Sequence, residues 1–143
     1  MQLDDLYRRV IMDHYKNPRN RGQLDPEAVV TINLNNPTCG DKISLQMQIE
    51  DNVVRNVKYF GEGCSISLSS ASMMTDAIKG RTLQEALKTA ENFSSLMKGE
   101  HPVFEYEEIE ALSGVTKFPA RIKCATLAWN ALRKGVEQMQ KKG

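Results

Sequence analysis

The chain has 143 residues, 41% of them hydrophobic and 26% charged, which suits one globular domain with a buried core. Its 19 basic and 18 acidic residues leave a net charge of +1, excluding the strongly basic surface of a nucleic-acid-binding protein. No apolar run approaches the roughly 20 residues of a membrane-spanning helix, and the N-terminus lacks the apolar region of a signal peptide. With an odd count of three cysteines, these features predict a single cytoplasmic domain over residues 1–143.

The first half of the chain predicts one helix followed by a small antiparallel sheet. Apolar residues recur at helical spacing over residues 3–15, and the proline at position 18 ends that helix. Residues 28–34, 43–49 and 53–60 are predicted strands, and the second alternates regularly between apolar and polar side chains. Asp51-Asn52 predicts the turn of a hairpin between the last two strands.

The second half predicts helices. A helical pattern runs from Ser65 to a stop at Gly80, and a capping box at residues 82–85 opens a further helix that ends at Gly99. The acidic stretch 105–110 is predicted to be irregular and solvated, and Pro119 begins the final helix. The expected fold class is α+β, a small antiparallel three-stranded sheet with helices packed on one side.

The three cysteines lie in three separate segments, each where two predicted elements meet. Cys39 and Asp41 are two positions apart, so extending the strand backwards places both side chains on one face. Cys64 directly precedes a helix, and Cys124 lies in the second turn of the last helix. Three thiolates and a carboxylate suit one tetrahedral zinc ion or one face of an iron–sulfur cluster. The alternative is that the cysteines are small buried side chains.

His14 falls on the apolar side of the first helix, which predicts a hydrogen-bonded core or edge histidine rather than a ligand. His101 precedes a proline in a loop and is predicted to be exposed. No nucleotide-binding glycine motif and no Ser–His–Asp arrangement occurs in the chain.

Four segments carry a family resemblance: LYRRVIMDHYKNPRNRG, NNPTCGDKI, FGEGCSISLSSASMM and FPARIKCATLAW. They resemble the U-type iron–sulfur scaffold proteins, the SufU/IscU family with its NifU-like N-terminal domain and SufE/NifU-like fold. The resemblance spans nearly the whole chain and is closer to the SufU branch than to the IscU branch.

The resemblance implies a metal site at Cys39, Asp41, Cys64 and Cys124, occupied by Zn²⁺. It also implies a sulfurtransferase in which Cys39 accepts persulfide sulfur from a SufS-like cysteine desulfurase. The sulfur then passes to an iron–sulfur assembly scaffold or an apo-acceptor protein. Arg121 stands one helical turn before Cys124 and is expected to offset the charge of the site, unless it is an ordinary surface arginine.

Two alternatives stay open. The same residues suit a scaffold that builds a transient [2Fe–2S] cluster, and a third interpretation is a partner-binding module with purely structural zinc. Lys123 stands where IscU-type proteins carry a histidine, and a protonated lysine is not a metal ligand. An insertion near Gly99 to Gly114 is typical of SufU-like proteins, and both departures favour zinc-dependent sulfur transfer.

The LPPVK motif of IscU-type proteins is replaced here by residues 118–123, so no dedicated Hsp70-type partner is expected. The absence of heptad repeats favours a monomer.

Overall fold

A computed structural model describes residues 3–25, 30–37 and 40–142 of the chain. The elements in chain order are helix α1 (Leu3–Lys16), strands β1 (Val30–Asn36), β2 (Asp41–Glu50) and β3 (Val53–Glu62), helices α2 (Ser65–Ile78) and α3 (Leu83–Met97), a 3-10 segment (Glu107–Lys117) and helix α4 (Pro119–Lys142). The predicted α+β class, with three antiparallel strands in one open sheet, is confirmed.

The sheet has the strand order β1-β2-β3 and is antiparallel throughout. Asp51 and Asn52 both have positive φ, 52° and 64°, the backbone that two-residue hairpin turns require. In the hairpin of β1 and β2, the pair closest to the connection is Asn36 with Asp41. The register therefore places Asp41 at the end of the sheet where β1 ends and β2 begins.

Helices α2 and α4 cover one face of this sheet, as the sequence predicted. Leu45, Met47 and Val57 from the strands are completely buried beneath them. Trp129 of α4 stacks on Phe93 of α3, with ring centroids 4.5 Å apart. Burial of this apolar face is the main stabilising contribution to the fold.

Helix α2 is an unusual core helix because its inward face is rich in serine. The Ser69 hydroxyl donates to the Ile11 carbonyl at 2.7 Å, and the Ser70 hydroxyl donates to the Ala125 carbonyl at 2.6 Å. Ser70 also accepts a hydrogen bond from the indole N–H of Trp129 at 3.0 Å. These bonds join α2 to α1 and α4, so the start of α4 is held against the start of α2.

Two stretches differ from the sequence prediction. Strand β1 continues to Asn36, whereas its predicted first residues, 28 and 29, lie outside the described part of the chain. Residues 107–110 of the stretch expected to be irregular begin the 3-10 segment, whose apolar residues are buried in the core. Glu105, Glu107 and Glu110 are exposed as predicted, but Glu108 is half-buried and bonds to α1.

Across the residues that the structure describes, no helix is both long enough and apolar enough to cross a membrane.

Candidate metal centre

Asp41, the first residue of β2, is a buried carboxylate with 1% of its surface exposed. Its Oδ1 accepts a hydrogen bond from the backbone N–H of Cys64 at 3.1 Å. That N–H belongs to Cys64, the residue that precedes α2, at the end of the helix where the dipole favours negative charge. The bond ties the end of the sheet to the start of the helix.

Gly63 leaves the space that this carboxylate occupies. A Cβ added at position 63 would lie 2.7 Å from Oδ1 of Asp41 and 3.2 Å from its Cγ, and it would overlap the hydroxyl of Ser67. Real Cβ atoms essentially never approach so closely. The glycine before Cys64 is therefore required for space around the candidate site.

Cys64 is the N-cap residue of α2, with an extended backbone and no side-chain capping bond. Its Sγ lies 3.9 Å from Oγ of Ser67, and the Ser67 hydroxyl donates to the Cys64 carbonyl at 3.0 Å. The sulfur thus donates a weak hydrogen bond to Ser67 in the first turn of α2 and also lies within 4.8 Å of the Asp41 carboxylate.

Cys124 approaches from the second turn of α4 and is buried, with 1% exposure. The ligand atoms of Asp41, Cys64 and Cys124 all lie within 4.8 Å of one another. A tetrahedral zinc ion holds two sulfur ligands roughly 3.8 Å apart, which lies within that limit. Thiolate sulfur and carboxylate oxygen are donors that zinc accepts, so this group could hold a metal.

Arg121 lies one turn before Cys124, on the exposed start of α4, next to both sulfurs. The negative charge of Cys64 is the main reason that the pKa of Arg121 is raised, followed by a hydrogen bond to Cys124 and the charge of that residue. The guanidinium is therefore a counter-charge beside two thiols. Lys123, two positions along the helix, is exposed.

Cys39 lies outside the described residues, between two described segments of the chain. On its two sides, the N–H of Gly40 donates to the Asn36 carbonyl at 2.8 Å, and Gly40 has a φ of 75°. This positive φ is a conformation that glycine adopts at low cost. The prediction that Cys39 joins Asp41 at the site stays a prediction.

Tyr7 of α1 is a site neighbour that the sequence analysis did not identify. Burial raises the pKa of its phenol first, the charge of Cys64 raises it further, and Arg121 acts in the opposite direction. The phenol is therefore within electrostatic reach of both site residues. In the sequence, Tyr7 was only one member of an apolar helical face, which carries no signal for the site.

A second cluster contains Asp13, His14 and Glu108. His14 is completely buried, with Nδ1 2.7 Å from Oγ of Ser72 and Nε2 2.8 Å from Oε2 of Glu108. Asp13 is paired with Arg19 at 2.7 Å. Both ring nitrogens of His14 are thus occupied by hydrogen bonds, which confirms the prediction of a hydrogen-bonded core histidine.

Comparison with known proteins places the site in a family context. The family model described as NifU-like N terminal domain matches residues 6–143. A zinc-dependent sulfurtransferase SufU of Bacillus subtilis is 57% identical over 136 residues, covering 94% of this chain and 91% of that protein. An iron–sulfur cluster assembly scaffold protein IscU of Streptococcus pyogenes is 46% identical over 139 residues, covering 96% of this chain and 86% of that protein.

Solved structures agree. A crystal structure of a hypothetical protein superposes with a TM-score of 0.86 at 46% identity, covering 94% of this chain and 98% of the other. The N-terminal domain of a NifU-like protein from Brucella abortus superposes with a TM-score of 0.85 at 24% identity, covering 98% of each chain, which shows a shared fold. Since the family model and these relatives match nearly the whole chain, the protein belongs to the NifU-like N-terminal domain family.

Proposed function

We propose that this protein is a zinc-dependent sulfur carrier that takes persulfide sulfur from a SufS-like cysteine desulfurase and passes it into iron–sulfur cluster assembly. The convergence of two thiols and one carboxylate from three distant segments, beside an arginine, carries the proposal. The identity of 57% to a protein named as a zinc-dependent sulfurtransferase supports it. Thiolates of this kind persist in a reducing compartment, so we expect the protein in the cytoplasm.

Asp41, Cys64 and Cys124 would hold Zn²⁺, with Cys39 as the fourth ligand. The zinc ion, when bound, keeps its cysteine ligands deprotonated near neutral pH. Three thiolates and a carboxylate carry twice the charge that neutralises Zn²⁺, and Arg121 compensates part of the excess. Cys39 lies between β1 and β2 in the sequence, whereas Cys64 caps α2 and Cys124 lies in the second turn of α4, so we take Cys39 to be the ligand that leaves most readily.

The transfer step uses the Cys39 thiolate as the nucleophile. It attacks the terminal sulfur of the desulfurase persulfide and forms a new S–S bond to that sulfur. The S–S bond within the desulfurase persulfide breaks, and the desulfurase cysteine leaves as a thiolate. One persulfide is consumed and one is formed, so the step needs no external oxidant or reductant.

Peptide mass spectrometry tests this proposal. After reaction with a SufS-like desulfurase and cysteine, we expect the added mass of one sulfur atom on Cys39. The Cys39→Ser variant should carry no such adduct and should no longer stimulate the desulfurase. Full stimulation by Cys39→Ser would show that the zinc is structural and that the protein is not the sulfur acceptor.

A second candidate function is a scaffold for a transient [2Fe–2S] cluster. The relative from Streptococcus pyogenes, named as an iron–sulfur scaffold, favours it at 46% identity. Metal analysis of protein purified without oxygen separates the two candidates. One zinc ion per chain without visible absorbance supports sulfur transfer, whereas a brown protein that donates its cluster intact to an apo-acceptor would replace our proposal.

A further inference from the structure

Ser67 is a completely buried side chain that lies next to two of the candidate metal ligands. Its Oγ is 3.9 Å from Sγ of Cys64 and accepts a weak hydrogen bond from that thiol. A Cβ added at Gly63 would overlap this Oγ and would lie 2.7 Å from Oδ1 of Asp41, so the two oxygens border the same small space. The hydroxyl is therefore in contact with one candidate ligand and shares a border with another.

The start of α2 fixes the position of this hydroxyl. Cys64 is the N-cap residue and Ser67 is the third residue of the helix, where a capping box has a glutamate or glutamine that accepts from the N-cap N–H. Here Oδ1 of Asp41, from β2, accepts from the Cys64 N–H at 3.1 Å. Because the carboxylate comes from another element, the side chain at position 67 can be a short one that stays beside the cysteine.

The hydroxyl proton of Ser67 goes to an acceptor that already has a partner. It is donated to the Cys64 carbonyl at 3.0 Å, and the same carbonyl accepts the helical bond from the Leu68 N–H at 3.1 Å. A rotation about the Cβ–Oγ bond of Ser67 can therefore redirect the proton, and the carbonyl keeps its helical partner. A sulfur that binds a metal has lost its hydrogen and can only accept, so Sγ of Cys64 becomes an acceptor for that proton.

We propose that Ser67 is a positioning residue of the metal centre, whose hydroxyl donates a hydrogen bond to the metal-bound sulfur of Cys64. This bond reverses the one in the structure, where the thiol donates and the hydroxyl accepts. It fixes the direction in which the sulfur meets the ion, and it takes up part of the negative charge on the sulfur. Its strength comes from the charged acceptor and from the complete burial of Ser67.

Zinc affinity measured by competition with a chromophoric chelator is the first test, and it rests on zinc binding by the proposed function. Ser67→Ala removes the hydroxyl alone, and we expect it to weaken zinc binding roughly tenfold. Ser69→Ala is the matched control, because Ser69 is a completely buried serine of the same helix whose hydroxyl donates to the Ile11 carbonyl. The control should bind zinc like the wild type, although both variants lose some stability.

The absorbance of bound cobalt(II) gives a readout that a purely structural serine would not change. Co²⁺ binds the same kinds of ligand as Zn²⁺, and its sulfur-to-metal charge-transfer band depends on the charge that the sulfur carries. Loss of the hydrogen bond to Cys64 should move this band to longer wavelength in Ser67→Ala and leave it in place in Ser69→Ala. If Ser67→Ala does not fold, Ser67→Gly also lacks the hydroxyl and should show the same shift.

The outcomes separate this inference from the proposed function. An unmoved cobalt band in the Ser67 variant would overturn the inference, and so would equal losses of zinc affinity in Ser67→Ala and Ser69→Ala. A shifted band in a protein whose Cys39 takes up no persulfide would refute the proposed sulfur transfer and support the inference. An unmoved band in a protein that does form the Cys39 persulfide would refute only the inference. A wild-type chain that binds neither zinc nor cobalt would overturn both.

Discussion

At the scale of single residues, the candidate site depends on space as much as on ligands. The Asp41 carboxylate lies against the backbone at the start of α2, and Gly63 is the residue that makes room for it. A ligand set alone would not reveal this requirement, because glycine contributes no donor atom. Arg121 places a positive charge beside the same site, and it is not a ligand either.

We expect Gly63→Ala to weaken zinc binding roughly tenfold, because the new Cβ displaces the Asp41 carboxylate. Chelator competition measures the change. Gly80→Ala is a matched control: Gly80 has a φ of 84° and open space around it, so the substitution strains the backbone far from the site. The control should lose about 1 kcal/mol of stability with unchanged zinc affinity. Equal zinc affinity in both variants would show that Asp41 does not need its observed position.

Arg121→Gln should also weaken zinc binding, by roughly tenfold, because the two cysteines lose a positive charge that interacts with both. Lys123→Gln removes the same charge two positions away, from a side chain that is exposed, and should have little effect. Arg121→Lys should fall in between, since lysine keeps the charge but lacks the forked hydrogen-bonding geometry. If the glutamine variants at positions 121 and 123 behave alike, general surface charge rather than a specific contact is responsible.

At the scale of secondary-structure elements, α1 contacts the 3-10 segment in two ways: a polar pair of His14 with Glu108, and packing of the Tyr7 ring on Gly114. His14 is completely buried and joins Ser72 on one side and Glu108 on the other. Partial burial alone would raise the pKa of Glu108, but hydrogen bonds with His14 and Tyr106 outweigh it, and the pKa lies below its ordinary value of 4.5. The carboxylate therefore stabilises the attachment in its ionised form.

This shift gives Glu108 a pH-dependent contribution to stability. A carboxyl whose pKa falls on folding stabilises the protein above its unfolded pKa, and the contribution disappears as pH falls through the folded value. We expect Glu108→Gln to lower the free energy of unfolding at neutral pH by about 1 kcal/mol, a modest value because the side chain is 42% exposed. The difference from wild type should shrink progressively below pH 4.5.

Urea denaturation at several pH values checks this prediction. Glu107→Gln removes the same charge from the exposed neighbouring residue and should leave stability nearly unchanged at every pH. A difference between wild type and Glu108→Gln that stays constant well below pH 4.5 would mean that ionisation of Glu108 is not its source.

At the scale of the whole molecule, the candidate ligands come from β2, α2 and α4, and the last two lie about 60 positions apart in the sequence. A metal ion bound to all three ligands would connect segments of the chain that come together only in the folded state. Binding to the folded state alone stabilises it by mass action, by about 2.7 kcal/mol when free zinc exceeds its dissociation constant a hundredfold. We therefore expect a chelator to lower the melting temperature measured by calorimetry.

The Cys64→Ser/Cys124→Ser variant provides the control for this melting experiment. It lacks two of the three described ligands, so its melting temperature should not respond to zinc or to chelator. A wild-type melting temperature that is equally insensitive would show that the described ligands do not bind zinc in the folded protein.

Local patterns in the sequence predicted most of the elements correctly. The strand alternation before Asp51 and the capping box at Thr82 are short-range signals, and the structure contains the corresponding hairpin and helix start. The placement of Cys64 immediately before a helix was predictable for the same reason. The 3-10 segment was missed because its apolar residues are spaced for neither an α-helix nor a strand, and its structure depends on burial against α1, α3 and α4.

The sequence by itself determined the kinds of elements, the α+β class and the residue types available for a metal, because these depend on local periodicity and on donor chemistry. Only the tertiary structure decided that Asp41, Cys64 and Cys124 meet within 4.8 Å, that Gly63 leaves space for the carboxylate, and that Tyr7 packs on Gly114. These contacts join residues far apart in the chain. They arise from the packing of helices on a sheet, which no local pattern of residues encodes.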